Sequence, residues 1–355
     1  MKSVSIKLSL LGALLSAAFA LPVQAEQPQA RSLWSGSDHA ARSGGFNLEE
    51  RRRRPIIPPP APVEPEDPVE PPSTGSELPV IQAWMAPDIG DAWRQGYKGQ
   101  GTTITVVDDF SNSNPFSGDL GTGKIQQGHG FWTSQQASMV APEATVVQKH
   151  WNSSSSLPLA ASGLNVLNLS YGFMAAPGYD VSQMNWDRQQ ASIIDYARNG
   201  SAVVVKSAGN GGVAVGTAEG SYWTGRSLDY LNVALKGAQA AILVGALTSN
   251  GSPTKQASLA SYSNYPGNDA TYQKNFVVVG VASNVTGLAG TSFAAPIVTG
   301  YAAVIGSKFT SATPTQVVNQ LLNTARTDTL RNYRASVYGR GEASLTRALA
   351  PVSIR

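Results

Sequence analysis

Cysteine is absent from the 355 residues. That excludes disulfide staples, thiolate metal sites and a cysteine nucleophile. Charge is sparse as well: Asp, Glu, Lys and Arg make up 14% of the chain, and the net charge of +3 falls further if Lys2 and Lys7 belong to a cleaved leader. So even a balance gives no electrostatic footprint for DNA, RNA or anionic lipid. Histidine is scarcer still, at three. His39 lies in the amino-terminal tail, which leaves His129 and His150 as candidate general bases. After the leader, no run is apolar and long enough to span a bilayer. What is present is a Gly-, Ser- and Ala-rich chain, 42% hydrophobic, long enough to bury a sizeable core.

Three segments follow from composition. Residues 1–25 carry two lysines, an apolar run from Leu8 to Leu21 and the small-residue site Val23-Gln24-Ala25, which reads as a secretory signal peptide. Residues 26–78 include RRRRPIIPPPAPVEPEDPVEPP, where proline and alternating acids hold an extended, solvated linker or stalk. Arg51 to Arg54 read as a solvated basic cluster, since Pro55 disfavours cleavage there. Residues 79–355 form the folded domain.

In that domain TTITVV (102–107), ATVVQ (144–148), NVLNLS (165–170), SAVVVKSA (201–208), AAILVGA (240–246) and FVVVGVA (276–282) are β-branched runs bounded by turn residues, as buried parallel strands are. Residues 183–199 have helical spacing and stop at Gly200, a left-handed C-cap. Thr313-Pro314-Thr315-Gln316 opens another helix with a capping box and proline at its first position. Alternating strands and helices predict an α/β domain with a mostly parallel sheet covered on both faces. Chemistry in such sheets gathers beyond the carboxyl ends of the strands.

At those ends stand the candidates. TTITVV runs into Asp108 and Asp109, either of which could orient a base or close an Asx turn. His129 sits between Gly128 and Gly130, which leave its ring unobstructed at a helix start. His150, beside Trp151, reads as packed or exposed. In GLAGTSFAAPIVTG, Ser292 is placed at the amino end of a helix, where free amides and the dipole favour developing negative charge, though a capping serine would look alike. Ala294, Ala295 and Gly300 should let this helix approach the sheet, and Pro296 falls a turn inside it, at a cost in stability. Asn210, in SAGNGG, is either a turn residue or an amide donor for an oxyanion.

Together these stretches resemble the subtilases, the subtilisin-like serine proteases (peptidase family S8), from about Trp84 to about Ala350. GTSFAAP is similar to the family's serine block, VVDD to its aspartate block, HG followed by T and VAPEA to its histidine block, and SAGN to its asparagine block, in the family's order. LNLSYG, ASYSN and YGRGEASLTRAL agree. The resemblance implies a subtilisin-like three-layer sandwich and an exported serine endopeptidase, periplasmic or extracellular. It implies Asp108 orienting His129, His129 taking the proton of Ser292, Asn210 with the Ser292 amide forming the oxyanion hole, and Ser170, Tyr171 and Gly172 pairing with an extended substrate. Asp109 is the alternative acid, and VVD favours Asp108.

Protein or peptide substrates, no nucleic-acid partner and a monomer are expected. No cofactor or metal is expected for the chemistry; structural calcium is common in the family but no ligand run supports it. Phe110, Phe131 and Trp132 stand where the family has smaller or polar residues. They raise a second reading, a pseudoprotease that binds without cutting, and an apolar surround that would depress the histidine's pKa. The stalk is too short and proline-rich for a folded propeptide. An α/β-hydrolase esterase conflicts with the chain order and lacks a G-x-S-x-G elbow.

Overall fold

The computed structural model describes residues 79–221 and 225–354. The expected signal peptide and stalk, and residues 222–224 of the loop expected to shape specificity, lie outside them.

All six expected runs are strands: β1 (Thr102–Asp108), β2 (Thr145–His150), β3 (Leu164–Leu169), β4 (Val203–Ser207), β5 (Ala241–Leu247) and β6 (Phe276–Gly280). They form a parallel sheet in the order β6-β5-β4-β3-β1-β2. From β1 the chain steps outward to β2 and then returns across β1 to β3. The carboxyl ends of β1 and β3 therefore flank a topological switch point, where α/β sheets open a crevice.

Side-chain parity divides β1, β3, β4 and the start of β5 between two cores. Ile104, Val106, Val166, Val203, Val205, Ile242 and Val244 face one, whereas Val107, Leu167, Leu169, Val204 and Ala241 face the other. Burial on both faces explains why the runs are continuously apolar rather than alternating. β2 is one edge, and its polar residues Thr145, Gln148 and His150 are exposed.

The helices that matter for the site are α1 (Pro87–Arg94), α2 (His129–Val140), α3 (Arg188–Asn199), α4 (Ala295–Lys308) and α5 (Pro314–Asn323). α2, α4 and α5 share the first core, and α3 belongs to the second. Every residue from Ala295 to Ser307 is buried, so α4 has no polar face, as expected of a helix enclosed between the sheet and other helices.

Two expectations about helices need correction. α3 starts at Arg188, not near 183, because Asp187 accepts the Gln190 N–H and fixes the start, while Val181–Gln183 form a separate 3-10 turn capped by Asp180. Its end at Gly200 is left-handed (φ 77°), and the Thr313 capping box of α5 is present. Gly300 does not face the sheet: a Cβ there would lie 2.5 Å from Val140, so it lets α4 approach α2. Gly306, further along the helix, makes the sheet approach instead, with Leu164 at 2.5 Å from its would-be Cβ.

Candidate active site

Asp108 is the last residue of β1 and is fully buried. Its Oδ1 lies 2.6 Å from His129 Nδ1 and accepts the Asp109 N–H at 2.7 Å, while Oδ2 accepts the Thr133 hydroxyl at 2.9 Å. Three donors replace the water that a buried carboxylate gives up. The short contact needs a proton on Nδ1, which leaves Nε2 as the lone-pair nitrogen of the neutral ring.

His129 opens α2 after Gly128. The flanking glycines do not clear space for the imidazole, as their spacing suggested; the 109–111 backbone occupies that space. A Cβ on Gly128 would stand 2.6 Å from the Ser111 carbonyl, and one on Gly130 would stand 2.7 Å from the Asp109 carbonyl and 2.9 Å from the Phe110 ring. Gly130 N–H donates to that Asp109 carbonyl at 2.9 Å. The segment after β1 is thus clamped over the helix start, which holds the ring against Asp108.

The imidazole is walled by Phe116 and Phe293, with ring centroids 5.7 and 5.6 Å away. Phe131 and Trp132 pack on each other, and Trp132 is buried with its indole N–H on the Phe116 carbonyl. The expected depression of the histidine's pKa is overturned. Burial does push His129 toward its neutral form, but the charge and hydrogen bond of Asp108 and the charge of Asp109 outweigh it, and the pKa lies above the ordinary 6.5.

Ser292 is in a 3-10 turn, Thr291–Phe293, that leads directly into α4. Gly290 enters this turn at φ 136°, a conformation that favours glycine. Pro296 is in the first turn of α4, where there is no helical hydrogen bond to lose, so the stability cost expected from sequence does not arise. The Ser292 hydroxyl donates to the Ser170 carbonyl at 3.1 Å, and the Ser170 hydroxyl donates back to the Ser292 carbonyl at 2.8 Å. Among the described residues, no hydrogen bond joins Ser292 to His129.

Asn210 lies just past β4. Its Oδ1 accepts both the Thr291 N–H at 2.8 Å and the Thr291 hydroxyl at 3.0 Å. A backbone N–H can only donate, which fixes the amide's orientation and leaves Nδ2 as a spare donor. Asn264 holds the same loop, accepting the N–H groups of Gly211 and Val213 and donating to the Ala208 carbonyl.

Several residues were not singled out from sequence. Asn168, buried in β3, donates to Ser170 Oγ and accepts from Thr299 of α4, tying the end of the strand to the serine helix. Thr133 stands four residues after His129, on the same helix face, and this spacing is the signal that was available. Of the residues expected to bind substrate, Ser170 contacts Ser292, the Tyr171 ring lies in the second core, and Gly172 is half-buried. His150 is exposed and faces Asp109 at 3.4 Å, apart from the buried pair. Among the described residues no three His, Asp or Glu side chains converge as they would to hold a metal ion. Nor is any described helix long and apolar enough to cross a membrane.

Similar folds occur among solved structures. The MycP3 protease from the type VII (ESX-3) secretion system is 22% identical over 78% of this chain and 90% of that one, with a TM-score of 0.49. A lanthipeptide protease is 19% identical over 75% and 93%, at 0.49, and a protease from Pseudoalteromonas arctica is 20% identical over 74% and 92%, at 0.48. No curated protein matches. The decisive finding is in the sequence: residues 120–341 match the model described as "Subtilase family", a stretch that takes in His129, Asn210 and Ser292 and begins beyond Asp108. The chain therefore belongs to the subtilase family of serine-type endopeptidases, peptidase family S8.

Proposed function

We propose that this subtilase is an exported endopeptidase in which Asp108, His129 and Ser292 act as the triad. The observation that carries the reading is the buried 2.6 Å contact of Asp108 with His129 Nδ1, which leaves Nε2 basic on a ring whose centroid is 5.6 Å from that of Phe293, the residue after Ser292. In the reaction Nε2 takes the Ser292 hydroxyl proton as Oγ bonds to the peptide carbonyl carbon. Collapse of the tetrahedral intermediate breaks the C–N bond, and the same proton goes to the leaving amine. Water, deprotonated by His129, then hydrolyses the acyl-enzyme. Asn210 Nδ2 and the Ser292 N–H supply donors for the oxyanion. The backbone of Ser170 to Gly172 aligns the peptide, and export rests on the leader of residues 1–25.

The test is intact mass after incubation with a broad fluorophosphonate. One adduct on the wild type and none on Ser292→Ala is expected; a wild type that stays unlabelled would refute an activated serine. The resting hydrogen bond of Ser292 to Ser170 rather than to His129 favours a second reading, a latent site or pseudoprotease, and that same unlabelled wild type would support it.

A further inference from the structure

Two segments flank Ser292. One runs from Ser170 past the end of β3; the other runs from Ala208 to Gly211 past β4 and carries Asn210. Each contains a glycine backed by a carboxylate. A Cβ on Gly172 would lie 3.0 Å from Asp229 Oδ2, and one on Gly211 would collide with Glu219 Oε2. Both acids belong to a small antiparallel sheet in which Gly225–Asp229 lies between Glu219–Ser221 and Met174–Ala175. A peptide aligned on these segments with its carbonyl at Ser292 would place the side chain of the attacked residue between them.

The two carboxylates differ in what they have left to offer. Asp229 is fully engaged: Oδ1 accepts the N–H groups of Phe173 and Leu231, and Oδ2 lies 3.0 Å from Nζ of the buried Lys206. Glu219 has no lysine or arginine nitrogen within ion-pair distance among the described residues. Its polar side-chain contact is the Asn264 amide, 3.4 Å from Oε2. Lys206 and Asp229 form a pair, and with Glu219 these three groups sum to one negative charge. Burial raises the pKa of the Glu219 carboxyl above its ordinary value and the Asp229 charge adds to this, while the Asn264 bond, the charge of the more distant Lys206 and the Gly211 N–H oppose it.

We propose that Glu219 selects substrates with lysine or arginine as the residue whose carbonyl Ser292 attacks. The inference rests on the peptidase reading above and names its substrate class. An incoming ammonium or guanidinium would give Glu219 a cation at contact distance, and the half-buried position limits screening by water.

The experiment digests a peptide library with the purified full chain and maps the cut sites by mass spectrometry. It then compares kcat/KM on matched peptides bearing Arg, Gln or Phe at that position, with fluorophosphonate titration counting active sites in each sample. Cuts clustered after Lys and Arg are expected. In Glu219→Gln the Arg-to-Phe ratio should fall by about 10- to 100-fold, with labelling and melting temperature retained. A wild type that labels but cuts after apolar residues would overturn the proposal while leaving the peptidase reading intact, and so would a ratio that Glu219→Gln leaves unmoved. If Glu219→Gln unfolds, the wild-type cut sites alone decide. A wild type that neither labels nor cuts would overturn both readings.

Discussion

Two histidine–carboxylate pairs stand back to back at the end of β1, and they could hardly differ more. Asp108 meets His129 at 2.6 Å with both side chains buried, whereas Asp109, the next residue, meets His150 at 3.4 Å with 18% and 42% of the side chains exposed. Strand parity is the cause. Consecutive residues point to opposite sides, so Asp108 turns toward α2 and Asp109 toward the edge strand β2, whose His150 is in register with Asp108. The buried pair is fixed by Thr133 and two backbone clamps; the outer pair shares its charge with water and contributes at most about 1 kcal/mol. Identical chemistry thus meets two different environments, set by burial and by the donors around it.

Mutagenesis of the two carboxylates, with Asn210 as a third reference, tests that contrast. With Asp108→Asn the ring loses the partner that sets its tautomer, and turnover on a common peptide substrate should fall by about 10⁴-fold. Asp109→Asn should cost less than about threefold on the same substrate, since an exposed pair has so little to lose. Equal losses would remove the ground for choosing Asp108 as the acid, and a larger loss in Asp109→Asn would reverse the assignment. Asn210→Ala should fall between the two, with turnover down about 10²- to 10³-fold and KM little changed, because its spare amide is offered to charge that exists only in the transition state.

Thr133→Val sharpens the contrast from the stability side. It removes one donor to Asp108 and keeps the side chain's volume, so one carboxylate oxygen is left short inside the core. Chemical denaturation should show a loss of about 1–3 kcal/mol. A stability unchanged within error would mean that water reaches Asp108, and the distinction between inner and outer pair would weaken.

How much of this was legible beforehand depends on how local the signal is. The six strands were visible because burial on both faces forces unbroken β-branched runs, and Gly200 and Thr313 announced helix ends through their own backbone chemistry. Asp108, His129, Asn210 and Ser292 were legible as candidates because each sits in a short block, although only the fold brings the blocks to one crevice. What failed were inferences that needed a partner distant in sequence. Gly300 faces Val140, not the sheet; Pro296 opens α4 instead of interrupting it; Met184 and Trp186 precede α3 because Asp187 caps first. Phe131 and Trp132 adjoin His129 in sequence, yet Phe116 and Phe293 wall its ring. Asn168 and Thr299 mean nothing until β3 and α4 are side by side.

The smallest effect probes the coupling between the two pairs. In the proposed role of His129 as base, proton transfer requires the neutral ring, so kcat/KM should fall as pH drops through a pKa above 6.5. Stability runs the other way: because folding raises this pKa, the protonated ring contributes stability that is complete below the unfolded value and is lost as pH rises through the folded one. The Asp109 charge is one of the causes that raise it. Asp109→Asn should therefore move the acid limb of kcat/KM to lower pH and leave the plateau within about threefold, an effect that added salt shrinks because the outer pair is open to solvent. A limb that stays in place at low ionic strength would mean that the outer carboxylate is fully screened, and that the two pairs, though adjacent in sequence, are electrostatically separate.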